Sequence, residues 1–187
     1  MNENILYTVT VFSENRVGLL NQISIIFTRR KLNIESLSVS PSSIKGVHKF
    51  TITAYCDKET IEKLVKQIEK RIDVLKAFYY LNDELVYQEI ALYKVPTNSF
   101  IGENNIESII RKYNARILEI TKEYTVFEKT GHPEETEALF SELKSYGITQ
   151  FVRSGRVAVT KSTKEYVTEY IDKQNKRKEC IEWGKNI

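Results

Sequence analysis

The sequence predicts an α+β protein made of two βαββαβ units in tandem, followed by a helical tail. Three observations carry that prediction. Runs rich in β-branched and aromatic residues alternate with stretches whose apolar residues recur at helical spacing. The order strand, helix, strand, strand, helix, strand occurs twice, and the polar Asn82-Asp83-Glu84 separates the two occurrences. This order is the ferredoxin-like arrangement. The chain has 187 residues, enough for one to two domains. The expected boundaries are 1–82, 83–162 and a tail at 163–187.

Each element has a local reason. Ile5–Phe12 is β-branched and aromatic and reads as a strand. After the turn Ser13-Glu14-Asn15-Arg16, the residues Leu19, Leu20, Ile23, Ile26 and Phe27 trace one face of a helix. Ile34–Ser40 reads as a second strand ending at Pro41, and Val47–Cys56 as a third. Asp57 is placed to cap a helix that carries Ile61, Leu64, Val65 and Ile68 on one side. Val74–Leu81 closes the first unit.

In the second unit, Gln88–Val95 is a strand, and Ile106, Ile109, Ile110 and Tyr113 mark a helix. Strands follow at Arg116–Ile120 and Tyr124–Lys129. Pro133 opens the next helix, as proline does at a first helical position, and Gly147 ends it. Strands at Ile148–Arg153 and Val157–Thr160 complete the unit. The repeat is one of architecture, without close internal sequence identity. In the tail, Tyr166, Val167, Tyr170 and Ile171 share a helical face, and Trp183 is an aromatic suited to anchoring a contact.

Composition narrows the function classes. Lys and Arg number 28 against 25 Asp and Glu, so the net charge of +3 is a small difference between interspersed signs. A nucleic-acid binder usually concentrates its basic residues on one face; here the one dense run is "KQNKRK" near the C-terminus. The two cysteines, Cys56 and Cys180, lack metal or disulfide spacing and fit a reducing compartment. With no secretion signal and no apolar stretch near the ~18 residues of a membrane span, the expectation is a cytoplasmic chain that binds neither membrane nor nucleic acid.

The chemistry of catalysis finds little to use. His48 and His132 lack Cys, Asp or His neighbours at metal-ligand spacing, and His132 is expected to help start a helix. There is no GxxxxGK[ST] loop and no GxGxxG after the first strand. Cys56 has no basic neighbour to depress its pKa and reads as a small apolar residue. No metal or cofactor site is expected on this chain, and none of its residues is expected to be catalytic.

The junction at Gly18 is different. A glycine in a first helical turn costs roughly 1 kcal/mol relative to alanine, and a helix start presents unpaired N–H groups to an anion. Without a Cβ, Gly18 would let a ligand approach the backbone. Asn15 offers donor and acceptor groups. Asn33, near the far end of the same helix, would meet the Gly18 turn of a partner copy in a symmetric dimer. An amino acid would match these parts, its aliphatic side chain among Leu19, Leu20 and Ile34. By spacing alone, an ordinary turn glycine remains the simpler reading.

The run "TVTVFSENRVGLLNQISIIFTRRKLNIESLSVSPS", with "LNIESLSVSPS" its most specific part, resembles the ACT domain that opens the small regulatory subunit of acetolactate synthase (acetohydroxyacid synthase). The second half agrees in order. "QEIALYKV" looks like the strand that opens that family's C-terminal domain, and "RILEITKEYTVFEKTGHPEETEALFSELKSYGITQFVRSGRVAV" follows its succession from "YT-E-TG" to "R-SG--A". The resemblance spans Leu6 to Ser162.

This resemblance implies a non-catalytic regulatory subunit in valine, leucine and isoleucine biosynthesis. It implies a homodimer whose ACT units join into one antiparallel sheet, with valine at the interface as feedback effector. Asn15, Val17, Gly18, Leu19 and Leu20 would form one side of that site, and Asn33, Ile34 and Ser40 the other. The implied partner is the catalytic large subunit, which this chain would activate; thiamine diphosphate, magnesium and FAD would reside there. The sequence departs from the family at Val17, where many members carry proline, and at Asn21. It departs also at Lys31-Leu32, where a Gly-Tyr-like pair is common, and at "TKST" in place of "SRG". Two alternatives stand beside this reading. One is a stand-alone ACT-domain amino-acid sensor. The other is an RNA-binding ferredoxin-like protein, with Tyr79, Tyr80 and Phe50 as candidate stacking residues.

Overall fold

The structure is a computed structural model that describes residues 4–100, 105–163, 167, 168 and 170. Trp183, Cys180, Tyr166, Ile171 and the "KQNKRK" run lie outside the described residues; Val167, Thr168 and Tyr170 are helical. The chain divides into two compact units, Met1–Val86 with Val159–Ile187, and Tyr87–Ala158.

In the first unit, β1 (Ile5–Glu14), β2 (Ser36–Pro41), β3 (Val47–Cys56) and β4 (Val74–Tyr80) form an antiparallel sheet in the order β2-β3-β1-β4. Alternation sorts each strand. Tyr7, Val9 and Val11 of β1 join Phe50, Ile52 and Ala54 of β3 in one core with α1 (Leu19–Arg29) and α2 (Lys58–Ile68). On the opposite face Thr8 pairs with Thr53 and Thr10 with Thr51, and all four are buried. Asp57 caps α2 as its sequence position predicts: the carboxylate accepts from the Thr60 N–H at 2.9 Å and from its hydroxyl at 2.8 Å. These two bonds hold the Asp57 pKa below the usual carboxylate range.

The second sheet repeats the order as β6-β7-β5-β8, from β5 (Leu85–Pro96), β6 (Arg116–Ile120), β7 (Tyr124–Gly131) and β8 (Gln150–Arg153), and β9 (Val157–Thr160) also pairs with β5. Its core gathers Ala91, Tyr93 and Val95 with Phe127 and with Ile109, Leu139 and Leu143 from α3 (Asn105–Tyr113) and α4 (Pro133–Leu143). The buried Tyr93 hydroxyl donates to the Thr136 carbonyl at 2.7 Å, tying the central strand to α4.

The repeat extends to the way the first helix of each unit ends. Lys31 has φ 55° and Asn114 has φ 51°. The N–H of Lys31 donates to the Thr28 carbonyl and that of Leu32 to Phe27; Asn114 and Ala115 repeat the pattern onto Arg111 and Ile110. Both are Schellman endings, with a left-handed residue just past the helix. Glycine suits that position best; here lysine fills it in the first unit and asparagine in the second.

Several boundaries differ from the sequence reading. β2 begins at Ser36, leaving Asn33 and Ile34 in the loop before it. β5 starts at Leu85, because the helical turn Asn82–Glu84 ends with the Glu84 carboxylate accepting from the Leu81 N–H. α4 ends at Leu143, and a 3₁₀ turn over Lys144–Tyr146 precedes Gly147, whose φ is 78°. His132 sits at the start of α4 without capping it through its side chain. Its carbonyl accepts from Glu135 and Thr136, and its ring packs edge-on against Tyr87. Among the described residues no helix is long and apolar enough to cross a membrane.

Candidate functional site

The Gly18 turn is built on a fixed strand end. Ser13 is fully buried, and the Glu14 N–H donates to the Asp73 carbonyl at 2.9 Å. The Arg16 guanidinium lies 3.2 Å from the Glu14 carboxylate and 3.8 Å from that of Asp73. The chain then passes through Val17, fully exposed, to Gly18, the N-cap of α1 with φ 85° and ψ −7°. No side chain caps this helix and its first turn carries no acidic residue. The Gly18 carbonyl accepts from Gln22 at 3.1 Å and Leu19 donates weakly to Arg16.

This geometry corrects one part of the sequence argument. Gly18 stands before the helix rather than within its first turn, so the helix-interior cost does not apply. A Cβ at Gly18 would meet nothing within 4 Å in this chain, so the glycine answers a dihedral need. What remains for a ligand is an uncapped helix start open to solvent.

The other predicted site residues divide by burial. Asn15 and Leu20 are exposed beside the turn, whereas Leu19 belongs to the core and supports the turn from beneath. Asn33 is exposed, with its amide donating to the Glu35 carboxylate at 2.9 Å. Ile34 packs partly against the core, and Ser40, on β2, is exposed opposite Lys49. The two groups are not brought together within one chain. α1 has 11 residues and spans about 16 Å at 1.5 Å per residue, with the Gly18 turn at one end and the Asn33 loop past the other.

The two outer strands of this sheet are unlike. On β4, the N–H of Ala77 donates to the Glu69 carboxylate at 3.3 Å, and Lys76 pairs with the same carboxylate. β2 pairs with β3 alone, and among the described residues no strand lies on its other side.

In the second unit the Arg153-Ser154-Gly155 motif, noted as a family signature, has a structural use. Ser154 meets both backbone groups of Ile90: its N–H donates to the carbonyl at 2.9 Å, and its Oγ accepts from the N–H at 3.0 Å. Arg153 lies 3.6 Å from the buried Glu89 carboxylate, which also accepts from the Thr136 hydroxyl at 2.5 Å. Sequence reading missed this cluster because Glu89, Thr136 and Arg153 are far apart in the chain.

Among the described residues, other chemistry finds no assembled site. The Cys56 thiol is buried and its pKa is pushed up to about 11, first by burial and then by the Asp57 carboxylate. Among the described residues no group of three or more His, Cys, Asp or Glu is placed to hold a metal. The candidate stacking aromatics do not form a platform. Phe50 is in the core, Tyr79 packs edge-on to Tyr7 on the helix side, and Tyr80 lies on the opposite face with Phe78.

Known proteins match both units. A family model described as the AHAS small subunit-like ACT domain covers residues 9–76, and one described as the small subunit of acetolactate synthase covers residues 88–162. The chain is 35% identical over 158 residues to the acetolactate synthase small subunit of Bacillus subtilis, covering 84% of this chain and 91% of that protein. With the small subunit from Mycolicibacterium smegmatis the figures are 33% over 155 residues, 83% and 91%. A crystal structure of the small subunit from Thermotoga maritima superposes with a TM-score of 0.77 at 26% identity, covering 85% of this chain and 99% of that one.

Proposed function

The chain belongs to the acetolactate synthase small-subunit family, and we propose that it regulates a catalytic large subunit, raising its activity and making it sensitive to valine. The observation that carries this reading is that both units match the family in order, over most of the chain. A stand-alone sensor would need only the first.

The effector site is assigned to a pair of first units. A ligand as small as an amino acid cannot reach both ends of α1 in one chain, but a two-fold axis along β2 sets the Gly18 turn of one copy against the Asn33 loop of the other. The free edge of β2 and the blocked edge of β4 support that choice. The carboxylate would meet the uncapped start of α1, the ammonium the oxygens of Asn15 and Asn33, and the aliphatic side chain Leu20 and Ile34. With Val17 in place of proline, one more N–H is present at the turn.

Valine shifts the assembly only through unequal affinity for its two states. In this reading it changes how the paired units meet the catalytic subunit, which would carry the thiamine diphosphate, magnesium and FAD. The test is reconstitution: the full chain is mixed with its catalytic partner, and acetolactate formation is measured with and without valine. Activation that valine reverses is the expected result. No change in rate on adding the chain would sink the regulatory reading.

A further inference from the structure

Helix α2 and the turn after it carry acids towards β4 and bases towards α1, with Lys66 reaching both sides. Glu62 and Glu69 line the side towards β4, where Glu69 takes Lys76 and the Ala77 N–H. Lys63, Lys66 and Lys70, the last in the turn just past the helix, recur at i, i+3 and i+7 and face the end of α1. There they line a concavity of roughly 600 Å³ with Arg30, Gln67 and Arg71, and among the described residues no acidic one lines it. Like charges at this spacing cost helix stability. Among the described residues, Lys63 pairs with Glu59 one turn back on the helix.

Arg30 is held in place. Its Nε and Nη2 donate to the Gln67 side-chain oxygen at 3.1 and 2.8 Å, and Nη2 approaches the Lys63 carbonyl at 3.4 Å. The guanidinium is therefore oriented before any ligand arrives, on the wall of the concavity.

We propose that this concavity binds a small polyanion carrying two or more phosphate groups. Guanidinium groups donate to phosphate oxygens, and lysines add mobile point charges around them. A single phosphate would leave much of the positive charge unneutralised. The volume lies within the range of small-ligand sites, roughly 300–1,000 Å³, and the concave shape fits a compact ligand better than a flat acidic protein surface. Because the lysines are exposed, binding weakens steeply with salt.

The test uses the full chain and inorganic tripolyphosphate, titrated calorimetrically at low ionic strength without magnesium. The expected result is one equivalent bound per chain, with orthophosphate at least tenfold weaker. Lys66→Glu with Lys70→Glu should lower the affinity at least tenfold, and Lys144→Glu, in the second unit, should leave it within twofold. Gln67→Ala keeps the net charge but releases Arg30; several-fold weakening marks a built site. ATP in place of tripolyphosphate tells whether a nucleotide serves as the source, either answer leaving the phosphate site intact. The proposal is overturned by unsaturable binding, by equal loss in Lys144→Glu, by an unchanged Gln67→Ala, or by an RNA oligomer that displaces tripolyphosphate at lower concentration.

Discussion

The backbone N–H of Ala77 donates to the Glu69 carboxylate across 3.3 Å, so one edge of the first sheet is closed by a side chain of its own unit. Edge strands are templates for pairing, and a charge turned onto the edge blocks it. Removing the block with Glu69→Ala should add association beyond the dimer, seen as larger species in sedimentation velocity. Ser38→Glu, in the middle of β2, sets like charges close together across the proposed two-fold axis. It should yield monomer at micromolar concentration; an undisturbed dimer would place the contact elsewhere.

Gly18 separates two effects that glycine substitutions usually mix. A Cβ meets nothing, so Gly18→Ala should cost stability through the positive φ alone, roughly 1–2 kcal/mol in denaturant unfolding. Gly18→Asn should cost less. Gly18→Asp and Asn33→Ala should each abolish valine inhibition of the reconstituted enzyme while activation persists. Full valine sensitivity in either variant would remove these residues from the site.

Lys31 holds the left-handed position that ends α1, where glycine is the natural occupant. Lys31→Gly is expected to stabilise the chain by about 0.5–1 kcal/mol, the relief of φ being partly offset by the freer unfolded chain. Asn114→Gly, at the matching place, should gain less because asparagine tolerates that conformation. Equal gains at both sites would argue against this account.

Much of this fold was legible in the sequence, because strand alternation and helix caps are local signals. Asp57 announced α2, and Pro133 announced α4. The start of β2 was misread because Ile34 is apolar for a different reason: it packs on the core from a loop. Gly18 could not be resolved from sequence, where a glycine kept for its dihedral looks the same as one kept for space. The cluster of Arg30 with Lys63, Lys66, Lys70 and Arg71 was hidden too. Only the packing of α1 beside α2 brings residues more than thirty positions apart to one concavity.

Thr136 links the second core to its buried acid. Thr136→Val keeps the shape but leaves the Glu89 carboxylate without its hydroxyl donor. Thermal or urea unfolding should show a loss of about 1–3 kcal/mol, and Glu89→Gln in the same background should recover part of it. Additive losses from the two changes would mean that they do not interact.

Cys56 should resist alkylation. Burial and the Asp57 carboxylate favour the neutral thiol, pushed up to about 11, so little thiolate exists at pH 8. Iodoacetamide followed by peptide mass spectrometry should leave Cys56 unmodified in the folded chain and label it in urea. Rapid native labelling would mean that the strand end opens readily.

The length of α1 acts as a ruler. Its 11 residues fix both the separation and the angle between the Gly18 turn and the Asn33 loop. One residue inserted in its middle would lengthen it by about 1.5 Å and rotate one end by about 100° relative to the other. In a two-fold assembly that single change would misalign both proposed effector sites at once, although it touches no residue of either. In the proposed assembly helix length is thus constrained by function as well as by packing, and natural variation should fall at the loops on either side of it.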